Sequence, residues 1–118
     1  MHGGKGLPLT RQDSSMHDAV VEMTAKRLGV IGVTDDRGYL VGIITDGDLR
    51  RNIERGLDHD AGEFMTRNPK TLSPDDLVDD AMILFDEYKI TSLFVVEDDG
   101  AGKKPVGVLH IHDCPATR

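Results

Sequence analysis

The sequence predicts an α+β fold built as a tandem repeat: two small sheets packed about a pseudo-twofold axis, with helices on the outside. Three observations point there. Short Val/Ile runs of strand length alternate with stretches of helical spacing. The order extended segment, helix, strand, turn, strand, helix occurs twice along the 118 residues. The two copies also match by residue type: Asp18-Ala19 with Asp80-Ala81, Val33 with Val95, Asp36 with Asp98, and Gly38 with Gly100. Beyond an insertion at residues 102–104, Val41-Gly42 matches Val106-Gly107, Thr45 matches His110 and Asp48 matches Asp113. One copy has too few elements to cover both faces of its sheet, so the two sheets must cover each other. That packing leaves two related clefts between the halves, each beside a strand-to-helix junction.

Residues 1–6 are Gly-rich and read as a flexible N-terminus, 7–56 as the first repeat, 57–62 as a polar linker and 63–118 as the second repeat. Leu7-Pro8-Leu9-Thr10 is extended, because Pro8 disfavours helix at the residue before it. Asp13, Ser14 and Ser15 offer N-caps for a helix to about Arg27, with Met16, Ala19, Val20, Met23 and Leu28 at helical spacing. Gly29 is its stop. Residues 30–33 form a strand, Asp35-Asp36-Arg37-Gly38 a hairpin turn, and residues 40–44 a second strand, with a helix following to about Arg55. In the second copy, residues 65–72 are extended. Ser73 caps and Pro74 opens a helix that turns Leu77, Ala81, Leu84, Phe85 and Tyr88 inward. Strands at 92–96 and 105–109 flank the turn at 98–102, and His110-Ile111-His112-Asp113 begins a last helix.

With 38% hydrophobic but only 4% aromatic residues, the interior must be packed from Val, Ile, Leu and Met. A net charge of −7 argues against a nucleic-acid or membrane-surface partner, either of which wants a broad basic face. Cys114 is the single cysteine, so no internal disulfide forms and a reducing, cytoplasmic setting follows. No apolar run approaches a membrane span, and the N-terminus has no signal-peptide pattern.

The chemistry gathers at Thr45-Asp46-Gly47-Asp48-Leu49-Arg50-Arg51, where the buried strand turns abruptly polar. Thr45 and Asp46 are good N-caps, and Asp48 suits the first helical turn. A hydroxyl, a carboxylate and two guanidinium groups in one place can also hold a phosphate and the diol of a sugar. Both readings stand on the residues alone: helix capping with a solvated face, or a small-anion site.

Met65-Thr66-Arg67-Asn68-Pro69 opening one copy and Gly42-Ile43-Ile44-Thr45-Asp46-Gly47-Asp48-Leu49 closing the other resemble a pair of CBS domains, over about residues 7–113. Leu28-Gly29, TDGDLRR, Lys89-Ile90-Thr91-Ser92 and His110-Ile111-His112-Asp113 are similar to the C-terminal CBS pair of the D-arabinose 5-phosphate isomerases of Kdo biosynthesis. The resemblance implies a regulatory module normally preceded by a catalytic sugar isomerase domain, with no catalytic residues of its own. It also implies a nucleotide in the inter-repeat cleft, such as AMP, ATP or CMP. In the isomerase context, the logical effector is the pathway end product, a cytidylyl-activated Kdo. Asp48 would then hold ribose hydroxyls, Thr45 a phosphate oxygen, and the backbone of Val30, Ile31 and Gly32 the base edge, with Arg50 and Arg51 adding charge or only solvating the helix face. In the second cleft Thr91, Ser92, His110 and Asp113 would play the corresponding parts. There His110 replaces the hydroxyl residue, and Pro115 cuts the last helix short or alters it. A protonated His110 would make that cleft pH-sensitive.

Other constellations carry less. His110, His112, Asp113 and Cys114 are four potential metal ligands, but a zinc site usually draws on a second segment, so no metal is expected. Cys114 has no evident base beside it. The Asp35-Asp36 and Asp98-Asp99 pairs read as turn chemistry. No cofactor is required by this reading. The competing class is an assembly module, a homodimer joined through apolar helix faces without a functional ligand.

Overall fold

The computed structural model describes residues 2–3, 6–26, 29–52, 54, 56, 58–76, 78–88 and 90–111. Leu28 and Leu77 lie outside them. The first repeat comprises β2 (Leu9–Arg11), α1 (Met16–Lys26), β3 (Val30–Thr34), β4 (Leu40–Thr45) and α2 (Asp46–Arg51). The second comprises α3 (Ala61–Phe64), β5 (Thr66–Arg67), β6 (Thr71–Leu72), α4 (Val78–Tyr88), β7 (Ser92–Asp98) and β8 (Lys103–His110). A short β1 (His2–Gly3) precedes both.

These strands make two four-stranded sheets, ordered β2-β3-β4-β5 and β1-β8-β7-β6. The sequence duplication is reproduced in the hydrogen-bond register. Leu9 pairs with Gly32 and Thr10 with Val33, as Thr71 pairs with Phe94 and Leu72 with Val95. Val30 pairs with Thr45, as Ser92 pairs with His110. Even the irregularities correspond, between Val33 and Thr34 and between Val95 and Val96. Each sheet takes its outer strand from the other repeat's lead-in: β5 joins β4, and β1 joins β8.

The burial pattern follows the pleat, since alternate residues of a strand face opposite sides. Ile31, Val33 and Ile44 face the helices, packing with Met16, Ala19 and Met23 of α1 and with Ala61 and Phe64 of α3. Leu93 and Val95 meet Ala81 and Phe85 of α4 in the second repeat. Between the sheets, Val30 and Leu40 meet Phe94, Val96 and Val108. Gly32 and Phe94 are equivalent positions, and they fit as socket and plug. A Cβ on Gly32 would stand 2.8 Å from Phe94 Cζ and from Leu9 Cδ2.

Four expectations shift. α2 ends at Arg51 rather than near residue 55, because Asn52 turns its side chain back and donates to the Asp48 carbonyl at 2.7 Å. α4 begins at Val78 rather than at Ser73. A turn comes first, in which the Ser73 N–H donates to Asp76 Oδ2 at 2.8 Å. The stretch read as linker runs into α3, whose first amides donate outside the helix: Ala61 N–H to the Ser14 carbonyl and Gly62 N–H to Gln12. Tyr88 is 43% exposed instead of turned into the core. The expected last helix lies outside the described residues, where β8 has already carried the chain to His110. The turn reading of the acidic pairs fits the geometry: Asp35 Oδ1 accepts from Arg37 and Tyr39 N–H, and Asp99 Oδ1 from Ala101 and Gly102 N–H. Among the described residues, no helix is long and apolar enough to cross a membrane.

Candidate functional site

At the end of β4 the chain leaves an apolar strand and enters a helix with Thr45 as its extended N-cap residue. Thr45 Oγ1 accepts from the Asp48 N–H at 3.1 Å, and Asp48 Oδ2 accepts from the Thr45 N–H at 3.1 Å. This reciprocal capping box fixes both side chains. It also answers half of the question left open by the sequence, since capping is one thing these residues do.

The same carboxylate faces an inter-repeat cleft of about 480 Å³. The first repeat contributes Gly29, Val30, Ile43 and residues 45–48 with Arg51; the second contributes Thr66, Tyr88, Ile90, Thr91 and Ser92. Asp48 Oδ2 is 3.5 Å from the Thr66 hydroxyl, which donates to it, and Oδ1 accepts from Arg51 Nη2 at 2.5 Å. The Asp48 side chain is 12% exposed and that of Arg51 70%. The ion pair therefore joins a buried, capped anion to a solvent-exposed cation. Across the cleft, Ser92 is 8% exposed and its buried Oγ has no hydrogen-bond partner among the described residues. Leaving such a hydroxyl unsatisfied costs roughly 1–3 kcal/mol. Tyr88 offers a ring at the cleft edge, with Lys70 Nζ 4.8 Å from its centroid.

Of the residues named from sequence, Val30, Thr45 and Asp48 line this cleft, and Thr91 and Ser92, expected in the second cleft, line it with them. Ile31 and Gly32 do not. Ile31 packs under the helices, while Gly32 is filled by the Phe94 ring and its N–H already donates to the Pro8 carbonyl at 2.8 Å. Arg50 is exposed on another face, because Arg51 is the residue three positions on from Asp48 and shares its side of the helix. His110 sits at the end of β8, opposite Ser92 in the ladder and outside this cleft. Asp113, with His112, Cys114 and Pro115, lies outside the described residues. Sequence reasoning missed Tyr88 and Thr66. Tyr88 had the spacing of a core residue, and Thr66 reaches Asp48 only because β5 crosses to the first repeat's sheet.

Comparison with known proteins adds the family. Arabinose 5-phosphate isomerase KdsD of Pseudomonas aeruginosa is 41% identical over 116 residues, covering 96% of this chain and 35% of that protein. The chain thus spans about a third of the length of the curated relatives it matches. CBSX2, a protein of Arabidopsis thaliana, has been solved in complex with AMP. It superposes with a TM-score of 0.79 at 28% identity, over 96% of this chain and 87% of that one. A CBS domain pair solved with 5′-methylthioadenosine and S-adenosyl-L-methionine gives a TM-score of 0.80 at 27% identity, over 94% and 86%. A family model described as the CBS domain matches residues 6–55 and again residues 61–114. With both halves matched and both sheets in the same register, the chain belongs to the CBS domain family, as a tandem pair.

Proposed function

We propose that the chain is a ligand-sensing regulatory module that takes a nucleotide in the inter-repeat cleft and biases a sugar isomerase domain. The observation that carries this is the Asp48 carboxylate, held by its own capping box yet facing a cleft that both repeats line. A carboxylate accepts hydrogen bonds from two vicinal hydroxyls, and a guanidinium beside it suits a phosphate. The volume of about 480 Å³ falls in the range of small-molecule sites, about 300–1,000 Å³. The complexes of CBSX2 with AMP and of the second pair with adenosine-derived ligands support an adenine nucleotide as first candidate. Similarity to the KdsD isomerases supports the sugar isomerase context and, with it, a cytidine nucleotide as second candidate. Control then requires the ligand to bind two arrangements of the whole protein with different affinity.

Thermal-shift titrations with AMP, ATP, CMP and cytidylyl-activated Kdo test the reading. Saturable stabilisation is expected with at least one of them, about 2.7 kcal/mol when the ligand stands at a hundred times its Kd. Asp48→Asn should abolish it. If no nucleotide shifts the wild-type transition, the sensing function is wrong.

A second reading, assembly, has its own observation. Val21 on α1 and Ile83 on α4 occupy equivalent positions, and both are 59% exposed. Two apolar side chains on matching helices fit a homodimer joined through those faces. Val21→Glu with Ile83→Glu is expected to halve the mass measured by light scattering; a wild-type monomer at the same concentration rules assembly out.

A further inference from the structure

We infer that Arg51 acts as a gate-keeper that makes the cleft select phosphorylated nucleosides over bare ones, an inference that rests on the nucleotide reading above. The argument starts from the occupancy of Asp48. Its Oδ2 is engaged by the Thr45 N–H at 3.1 Å and lies 3.5 Å from the Thr66 hydroxyl. The remaining oxygen, Oδ1, is the more open to a sugar diol, and Arg51 Nη2 already sits on it at 2.5 Å. An incoming ribose must share that oxygen with the guanidinium or push it aside. A nucleoside gives Arg51 nothing in return. A nucleotide gives it a phosphate, for which a guanidinium has a matching two-pronged geometry.

Two features make the exchange feasible. The Arg51 side chain is 70% exposed, against 12% for Asp48, so the cation is free to swing while the anion stays. Gly47 lets the guanidinium lie close over the turn: a Cβ there would come within 3.2 Å of Arg51 Nη1. Arg51 itself lines the cleft and so remains within it when it lets go of Asp48. The cleft thus reads its two ends jointly, diol and phosphate, through a single mobile side chain.

Calorimetric titration of AMP and of adenosine into the full chain at low ionic strength tests this. The wild type should prefer AMP by about tenfold or more, the range of a charge-assisted phosphate contact. In Arg51→Ala the preference should fall below about threefold, with AMP weakened and adenosine unchanged or tightened, since its competitor is gone. A preference above about threefold in Arg51→Ala, or weakened adenosine binding in that variant, overturns the inference and leaves the nucleotide reading standing. Failure of the wild type to bind either ligand overturns both.

Discussion

Tyr39 and Asp99 bring the two hairpin turns together, with the phenol donating to Asp99 Oδ2 at 2.6 Å. The hydrogen bond accepted from Tyr39, together with the Ala101 and Gly102 amides, holds the Asp99 carboxyl below its ordinary range; donation to Asp99, some desolvation and the nearby negative charge raise the Tyr39 phenol. A lowered acid stabilises the fold above its unfolded value, and that contribution is lost as pH falls through the folded value. A raised phenol stabilises the fold below its unfolded value and loses its contribution as pH climbs through the raised one. Melting temperature should therefore dip below about pH 4 and above about pH 10. Tyr39→Phe should weaken the alkaline limb and shrink, not erase, the acid one, because the backbone donors to Asp99 remain. Superimposable melting profiles for the two proteins would show the contact to be idle. The sequence showed Asp98-Asp99 as turn chemistry. It could not show the Tyr39 contact, which spans 60 positions of chain. Asp48 was legible for the converse reason: its partners Thr45 and Arg51 are local.

At the scale of elements, the two antiparallel hairpins, β3 with β4 and β7 with β8, were readable from their turn residues, whereas the parallel pairings of β2 and β6 and the exchanged β1 and β5 were not. What else escaped was set by the other half of the molecule. α3 has four residues, too few to show a helical period, and its free amides are satisfied by Gln12 and Ser14 far upstream. Gly32, read as a base edge, is instead the socket for Phe94. Phe94→Ala should cost about 3–5 kcal/mol in urea unfolding, the range for a buried ring. Gly32→Ala, with a Cβ at 2.8 Å from that ring, should cost about 1–3 kcal/mol by overpacking. Combined, they should cost less than their sum, since removing the plug makes room for the methyl. Strict additivity would mean that the two do not share a contact.

The whole molecule is a flattened body of 44 × 32 × 23 Å whose halves are mutually dependent. The inter-sheet cluster draws on both repeats, and each sheet borrows an edge strand from the other. A chain of about 60 residues buries too small a fraction of its surface to be secure alone. Residues 1–56 and 57–118, expressed apart, should each lack a cooperative thermal transition by circular dichroism and regain one on mixing. A cooperative transition in either fragment alone would mean that the repeats are independent domains. The exchanged strands have a mechanical corollary. β1 hangs on the rim of the far sheet through His2 and Gly3, opposite Val108 and Gly107. Any load hitched upstream of His2 is thus tied to the second repeat before the first. Tugging there would peel a ribbon from the distant half, leaving the Asp48 turn undisturbed until later.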